Sequence, residues 1–159
     1  MPYTDNKLLL LKPFRYDLCT YKEQQNAQGL PLPEAFIWCV FKQLAETVRF
    51  LHKGLERYAG RWIPIIHFDV KPENVLLKPH PRFWNILYMD SVELADFGFA
   101  AEYDPRIRCC RGSTPEYQPP ECQSGLMCAT PASDIWALGG TIHSLVHGFG
   151  PVTQDLSLR

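Results

Sequence analysis

Three features are scarce in this sequence, and each scarcity excludes a class of protein. The longest apolar runs, such as residues 8–11 and 63–66, are far too short to form a membrane-spanning helix. The 16 basic and 17 acidic residues give a net charge of −1, without the clustered basic excess of a nucleic-acid-binding surface. No signal peptide, internal repeat or low-complexity tract is visible. We therefore expect an intracellular protein, cytoplasmic or nuclear, whose partners are neither nucleic acid nor membrane.

The 6 cysteines also lack the spacing of a metal site. None stands in a C-x-x-C pair, and no pair of histidines completes a zinc site. We expect thiols in a reducing compartment. The remaining composition, with 46% hydrophobic and 21% charged residues in a chain of 159, is that of one soluble globular domain.

Two segments have the periodicity of amphipathic helices. Residues 34–53 predict the longer helix, with Gly54 placed for a left-handed C-terminal cap. A second helix is predicted from near Ser133 and Asp134 to about His147, packed against the first through its apolar face. The predicted apolar faces are Ile37, Val40, Phe41, Leu44, Val48 and Leu51 on the first helix, and Ile135, Trp136, Leu138, Ile142, Leu145 and Val146 on the second.

The other segments predict short strands and loops. Residues 21–29 are interpreted as a polar stretch, and residues 96–125, with scattered Pro, Gly and Arg, as a long ordered loop. A loop of that length in a compact domain is usually either functional or disordered. We expect strand pairing to be confined to residues 75–77 with the run before Asp96, plus a remnant at residues 7–11. The strand-like runs are residues 7–14, 63–68, 75–77, and 86–89 or 92–95, with 7–11 a possible further strand remnant.

One short loop concentrates residues suited to phosphoryl transfer. Residues 67–74, HFDVKPEN, place Asp69, Lys71 and Asn74 between an apolar run and a predicted strand. This chemistry needs a carboxylate that accepts a hydroxyl proton, a cation on the moving phosphate and oxygen ligands for magnesium. Asp69 and Asn74 stand in a D-x-x-x-x-N pattern.

Three further motifs follow in order. They are DFG at residues 96–98, TPEYQPPE at 114–121 and SDIWALG at 133–139. Together with the loop at 67–74 they resemble the motifs of eukaryotic-type protein kinases of the serine/threonine kind. The resemblance extends from about residue 8 to about residue 150. A DFG alone would carry no weight, but four motifs in one order are hard to obtain by chance.

The resemblance implies roles for five residues. Asp69 would be the catalytic base that receives the proton of the substrate hydroxyl, and Lys71 would steady the γ-phosphate of ATP. Asn74 and Asp96 would be the metal ligands that hold magnesium on the ATP phosphates, so that Lys71, Asn74 and Asp96 form the cofactor-binding set. Thr114 would bind the catalytic loop and fix the substrate residue.

Each of these residues also has a purely structural alternative. Asp69 or Asp96 could be an ordinary loop or capping carboxylate, and Asn74 alone would be a turn former. By the resemblance Asp134 would brace the catalytic loop, yet a carboxylate at a helix start also has a structural explanation. The remaining charged residues considered are assigned to structure or to solvated surface: Arg106, Arg108, Arg111, His52, His143 and His147.

The resemblance also implies a fold. It is α+β, mainly α: a kinase-like C-lobe that lacks most of the N-lobe and the last C-lobe helices. We expect one partial kinase domain over residues 1–159, with the last N-lobe strand and hinge in 1–18 and the C-lobe up to its long central helix in 19–159. No glycine-rich loop and no V-A-I-K lysine precedes Asp69. A chain truncated at both ends, with weak Mg·ATP binding of its own, is therefore expected.

Phe68 departs from the family pattern. It stands at the arginine of H-R-D, which in the family pairs with a phosphate on the activation loop, and a phenyl ring cannot form such a bond. Between Gly98 and Ser113 the chain has no Ser or Thr and only Tyr103 carries a hydroxyl. Regulation by phosphorylation of this loop is therefore not expected.

Two functions of different classes follow. The first is a protein serine/threonine kinase that transfers the γ-phosphate of ATP to protein hydroxyls, with ATP and magnesium as cofactors. The alternative is a pseudokinase-like protein-interaction module without catalysis. The presence of both magnesium ligands favours the first, and residues 114–121 and 133–134, which resemble peptide-substrate machinery, disfavour a small-molecule kinase. The oligomeric state stays open.

Overall fold

Helices and short antiparallel strands make up the described part of the chain, which in a computed structural model is residues 16–58, 60–79, 89–106, 113–123 and 130–151. More of these residues lie in helices than in strands, so the fold is mixed and mostly helical. The helices are α1 Leu18–Ala27, α2 Glu34–Lys53, α3 Pro120–Gln123 and α4 Pro131–His147; the strands are β1 Tyr16–Asp17, β2 Ile65–Ile66, β3 Val75–Pro79, β4 Met89–Leu94 and β5 Ala101–Glu102.

Helix α2 has the bounds that the periodicity predicts, and α2 and α4 are the two longest helices and pack against each other, as expected. The predicted apolar face needs two corrections, one of which is that Ile37 is only partly buried against the core. Phe36 is only 2% exposed and replaces Phe41, which is 36% exposed. Steps of four and three residues from Phe36 to Leu51 keep the buried positions on one side of the helix, and Phe41 lies at the edge of that side. The buried stripe is Phe36, Val40, Leu44, Val48 and Leu51.

Gly54 ends helix α2, but not in the expected left-handed cap. Its φ of 64° and ψ of −161° lie in a region that is essentially restricted to glycine. The indole ring of Trp62 occupies the space of a β-carbon, which would stand 2.3 Å from the ring. Trp62 Nε1 also donates to the carbonyl of Leu51 at 2.8 Å. The glycine is therefore needed both for its backbone angles and for the close approach of the indole.

Helix α4 begins earlier than predicted, and half of its predicted apolar face is wrong. Thr130 caps it, with Pro131 in the first turn. Ile135, Trp136 and Val146 are 54%, 41% and 57% exposed. The buried stripe instead consists largely of small and polar residues, which hydrophobic periodicity does not detect: Ser133, Asp134, Ala137, Leu138, Gly140, Thr141, Ser144 and Leu145.

Helix α1 corrects the interpretation of residues 21–29 as a polar stretch. Asp17 caps this helix by accepting hydrogen bonds from the backbone N–H and the hydroxyl of Thr20, both at 2.7 Å. Only Leu18 and Tyr21 are buried, and the Tyr21 ring lies 5.3 Å from the ring of Phe36 on α2. With so few apolar positions, the helix leaves almost no hydrophobic pattern in the sequence.

All strand pairs of the described residues are antiparallel. Strand β3 pairs with β4, with Val75 opposite Leu94, which confirms the predicted pairing of residues 75–77 with the run before Asp96. The expectation that pairing is confined to this hairpin is wrong, because β1 also pairs with β3 and β2 pairs with β5. The proposed remnant at residues 7–11 lies outside the described residues. Residues 96–125, expected as one loop, contain β5 and α3 in their described part.

The main core lies between the helices and the three-stranded sheet. Leu18 and Phe36 meet side chains of β3, β4 and α4 there, including Leu77 and Leu138. Cys19, Cys39 and Cys122 form no disulfide, as expected for thiols in this part of the chain. No helix among the described residues is long and apolar enough to cross a membrane.

Candidate active site

Helix α4 holds the loop of residues 67–74 in place. The Asp134 carboxylate, only 1% exposed, accepts the backbone N–H of His67 at 2.9 Å and that of Phe68 at 3.0 Å. The imidazole of His52 on α2 lies 2.9 Å from the same carboxylate. The predicted bracing of the loop backbone by Asp134 is thereby confirmed, and His52 joins it in a structural position.

Phe68 adopts an unusual backbone conformation in this loop. Its φ is 70°, in the left-handed region that costs an L-residue about 1–2 kcal/mol. The hydrogen bond from its N–H to Asp134 holds this geometry. Such strain persists only where the surroundings hold it in place, and it is found most often at functional sites.

Asp69 is the centre of a closed hydrogen-bond network with three of the other predicted residues. Its Oδ1 accepts the backbone N–H of Thr114 at 3.0 Å and the Thr114 hydroxyl at 2.8 Å. Its Oδ2 accepts Asn74 Nδ2 at 2.9 Å and lies 3.0 Å from Lys71 Nζ. Lys71 Nζ also donates to Thr114 Oγ1 at 2.7 Å, which closes the ring. Four of the five predicted site residues are therefore in direct contact.

Burial and hydrogen bonding act on the Asp69 carboxyl in opposite directions. Burial would raise its pKa, but the hydrogen bonds from Lys71 and Thr114 outweigh burial and hold the pKa below the ordinary value of 3.8. The network therefore stabilises the folded protein above that pH, and the contribution is lost as the pH falls through the lowered pKa. At neutral pH Asp69 is a carboxylate able to accept a proton.

Asp96 approaches the network through its backbone. The preceding residue, Ala95, donates its N–H to the carbonyl of Asn74 at 2.8 Å. Asp96 itself has a left-handed φ of 58°, and its exposed carboxylate accepts the N–H of Gly98 at 3.2 Å. Among the described residues, no hydrogen bond joins its side chain to the other four predicted residues. Convergence of Asn74 and Asp96 on one metal ion stays a prediction.

The donor atoms of Asn74 and Asp96 fit a magnesium ion. Asn74 uses its amide nitrogen to donate to Asp69, at both the carboxylate and the main-chain carbonyl. Its Oδ1 and the exposed Asp96 carboxylate are oxygen ligands, which magnesium prefers. No group of three or more His, Cys, Asp or Glu suited to a metal occurs in the described residues, and magnesium typically needs only one or two protein ligands beside phosphates.

His67 is a site residue for which the sequence motifs predict no separate role. It is fully buried, its Nε2 lies 3.0 Å from the carbonyl of Ala95, and its Nδ1 lies 3.3 Å from the backbone N–H of Asp69. Its ring meets the Phe97 ring edge-on at 4.7 Å. His67 thus joins the loop of Asp69 to the segment of Asp96. Its position two residues before Asp69 was the available signal.

A pH prediction follows from the burial of His67. Burial lowers the pKa of this imidazole from its ordinary value of 6.5, so the unfolded chain takes up the proton first as the pH falls. Stability is therefore full above that value and decreases below it. Between about pH 7 and about pH 5, we therefore expect the free energy of unfolding to decrease less steeply in His67→Gln than in the unaltered chain.

Urea titrations at several pH values measure this dependence. The exposed His147 provides the control, because His147→Gln should leave the slope of stability against pH as it is in the unaltered chain. Equal slopes for the unaltered chain and His67→Gln would show that His67 does not cause the pH dependence.

Comparison with known proteins matches this geometry to a family. The model of the protein kinase domain family matches residues 5–158. The chain belongs to the protein kinase family. The site residues thus lie in the matched region, and protein kinase domains generally use ATP and magnesium.

Three similar curated proteins are protein kinases by name, and two of them are named as serine/threonine-protein kinases. The probable serine/threonine-protein kinase KCC4 of Saccharomyces cerevisiae is 32% identical over 126 residues, covering 79% of this chain and 10% of that protein. The serine/threonine-protein kinase PKZ1 of Phytophthora infestans is 32% identical over 142 residues, 84% of this chain and 33% of that protein. The death-associated protein kinase dapk-1 of Caenorhabditis elegans is 32% identical over 116 residues, covering 72% of this chain and 7% of that protein. The chain therefore spans a third or less of each of these relatives.

Proposed function

We propose that the chain is a protein serine/threonine kinase sequence that transfers the γ-phosphate of ATP to hydroxyl groups of a protein substrate. The observation that carries this proposal is the closed network around Asp69. A purely structural carboxylate does not need a lysine and a threonine hydroxyl that also bind each other. The names of the relatives support the serine/threonine kind.

In the proposed reaction, Asp69 acts as the base. Its lowered pKa keeps it ready to accept the proton of the substrate hydroxyl, whose oxygen bonds to the γ-phosphorus as the bond to the ADP oxygen breaks. Lys71 lies between Asp69 and Thr114, and its ammonium would neutralise charge on the moving phosphoryl group. Thr114, anchored to Asp69 by two hydrogen bonds, would hold the substrate residue beside the base.

Asn74 and Asp96 would hold the magnesium ion or ions. When bound, magnesium neutralises charge on the ATP phosphates and orients them. The part of these two residues is to present oxygen ligands from two segments that Ala95 joins by its hydrogen bond to Asn74. The left-handed backbone of Asp96 orients its carboxylate, and the N–H of Gly98 holds one oxygen in place.

We further propose that residues 19–159 correspond to the kinase C-lobe up to its long central helix, and residues 1–18 to the last N-lobe strand and hinge. Helix α4 would be that central helix, because its buried Asp134 fixes the catalytic loop. The short strand β1 would then link the two parts, since it pairs with β3 directly beyond the loop.

A transfer assay with radiolabelled ATP tests the function. We expect slow incorporation into a protein substrate by the 159-residue polypeptide, because its sequence contains no G-x-G-x-x-G loop. Asp96→Ala should reduce incorporation by about 100-fold or more and shift its dependence on magnesium to higher concentration, since half of the protein ligand set is removed. The substitution removes an exposed side chain, so the fold should be kept.

Asp104→Ala is the matched control, because it removes another carboxylate from the same stretch of chain without touching the network. It should transfer at the rate of the unaltered polypeptide. Equal incorporation by the Asp96 and Asp104 variants would refute the magnesium role. No incorporation by the unaltered polypeptide at any magnesium concentration would favour the interaction module without catalysis.

A further inference from the structure

A small apolar cluster joins three separate segments beside the proposed active site. Ile66 is 1% exposed and Cys122 is 7% exposed, and Phe68 and Tyr103 pack against them. We call these four residues the anchor cluster. Ile66 and Phe68 belong to strand β2 and the loop of Asp69, Tyr103 follows strand β5, and Cys122 lies on helix α3.

Backbone hydrogen bonds reinforce the same junction. Strand β2 pairs with β5, with Ile66 opposite Ala101. Directly after this ladder, the N–H of Tyr103 donates to the carbonyl of Pro64 at 2.7 Å. Tyr103 is therefore held at its backbone by the strand pair and at its side chain by the cluster.

The anchor cluster brackets Thr114 along the chain. Thr114 lies between Tyr103 and Cys122 in sequence, and both of these residues pack in the one cluster. Fixing both ends of a segment reduces the conformational entropy that its middle must lose to dock. The middle then docks on Asp69, through the two hydrogen bonds of Thr114.

We propose that Phe68 is a positioning residue that anchors the segment of residues 101–122 by apolar packing, and that this anchoring needs no phosphate. Its backbone is fixed by Asp134 on one side, and Asp69 follows it directly in the chain. The ring thus links the proposed base to the segment that carries Thr114. An apolar ring cannot bind a phosphate, and burial of apolar surface does not require a charged partner.

The thiol of Cys122 provides a readout that does not depend on phosphoryl transfer. An alkylating reagent reaches a buried thiol only when the surrounding structure opens, so its rate reports local opening. Phe68→Leu keeps an apolar side chain, and we expect its Cys122 alkylation rate to stay within about threefold of the unaltered chain. The glutamine of Phe68→Gln is close to leucine in size but has a polar end. We expect this variant to raise the Cys122 alkylation rate by about tenfold or more.

Mass spectrometry resolves the cysteines and supplies the internal reference. Cys19 and Cys39 lie on helices α1 and α2, outside the anchor cluster, so their rates should not change. If the alkylation rates of Cys19, Cys39 and Cys122 rise together in Phe68→Gln, the whole chain has opened in that variant. Tyr103→Ala, which removes the cluster side chain from the other segment, is then used in place of Phe68→Gln. A rise confined to Cys122 in Tyr103→Ala supports the cluster, whereas protection that survives this variant overturns it.

Two further outcomes overturn the proposal. Cys122 rates for Phe68→Leu and Phe68→Gln that both equal the rate of the unaltered chain would show that the side chain at position 68 contributes no apolar anchoring. A rise in the Cys122 rate after phosphatase treatment of the unaltered chain would show that a phosphate holds the segment. The proposal concerns the position of the segment, so it can fail while the kinase function stands, and the reverse also holds.

Discussion

Asp134→Ala is expected to lower the free energy of unfolding by about 3–5 kcal/mol, one of the two largest effects predicted for this chain. The carboxylate is almost completely buried and accepts the backbone N–H groups of His67 and Phe68. Its removal leaves both donors without their acceptor in a largely buried part of the loop, and it also removes the partner of His52. Urea unfolding followed by circular dichroism measures the loss.

The loss should come from hydrogen bonding at one site rather than from removal of charge in general. Asp134→Asn keeps one acceptor oxygen but turns an N–H donor toward a donor, so we expect an intermediate loss of about 2 kcal/mol. Asp104→Ala removes a half-buried carboxylate whose hydrogen bonds, among the described residues, go to Arg106 on the surface, and stability should change little. A loss for Asp134→Ala as small as that for Asp104→Ala would show that the loop holds its conformation without this brace.

Helix α2 and the β3–β4 hairpin could be predicted from the sequence because each buries an apolar surface with regular spacing. In α2 the stripe from Phe36 to Leu51 follows helical spacing over the whole element. In the hairpin, Val75 and Leu77 alternate with less buried neighbours, as one covered face of a strand requires. Local pattern and tertiary burial agree in these elements.

Hydrophobic periodicity fails to predict burial where tertiary contacts, and not the hydrophobicity of the side chains, determine which residues are buried. In α4 the buried side carries Asp134 and Thr141, whose polar side chains can be buried because they hydrogen-bond backbone groups of the loop and of the helix, respectively. The large residues Ile135 and Trp136 project outward and are exposed. In α1 a cap at Asp17 and two buried side chains suffice for a helix. Neither case produces an apolar face that periodicity could detect.

The candidate site likewise has contacts that the sequence spacing predicts and contacts that depend on tertiary packing. Spacing alone brought Asp69, Lys71 and Asn74 together, since they lie within one short loop ended by a turn. Nothing in the spacing places Thr114 on Asp69, because the contact depends on how the intervening strands and segments pack; only the family resemblance suggested it. His67 belongs to the sequence motif of the loop, but its contact with the carbonyl of Ala95 depends on the tertiary structure.

Asp69→Asn is expected to reduce phosphoryl transfer by about 10²–10⁴-fold, the range that a general base contributes. An amide of nearly the same shape cannot take up the proton of the substrate hydroxyl. The substitution also presents an NH₂ group to Asn74 and Lys71, which both donate to this side chain in the native network. The assay is therefore run well below the midpoint of thermal unfolding of the variant, and the folded fraction is checked by circular dichroism.

Thr114 supplies the matched pair of variants that separates base chemistry from network geometry. Thr114→Ser keeps the hydroxyl between Lys71 and Asp69, and its transfer rate should stay within about threefold of the unaltered chain. Thr114→Val keeps the shape but removes the hydroxyl, and a loss of about tenfold is expected because Lys71 loses one acceptor and Asp69 one donor. If Asp69→Asn lost no more than Thr114→Val, geometry alone would account for both losses. A much larger loss for Asp69→Asn requires the carboxylate itself, because only that variant removes the group that receives the proton.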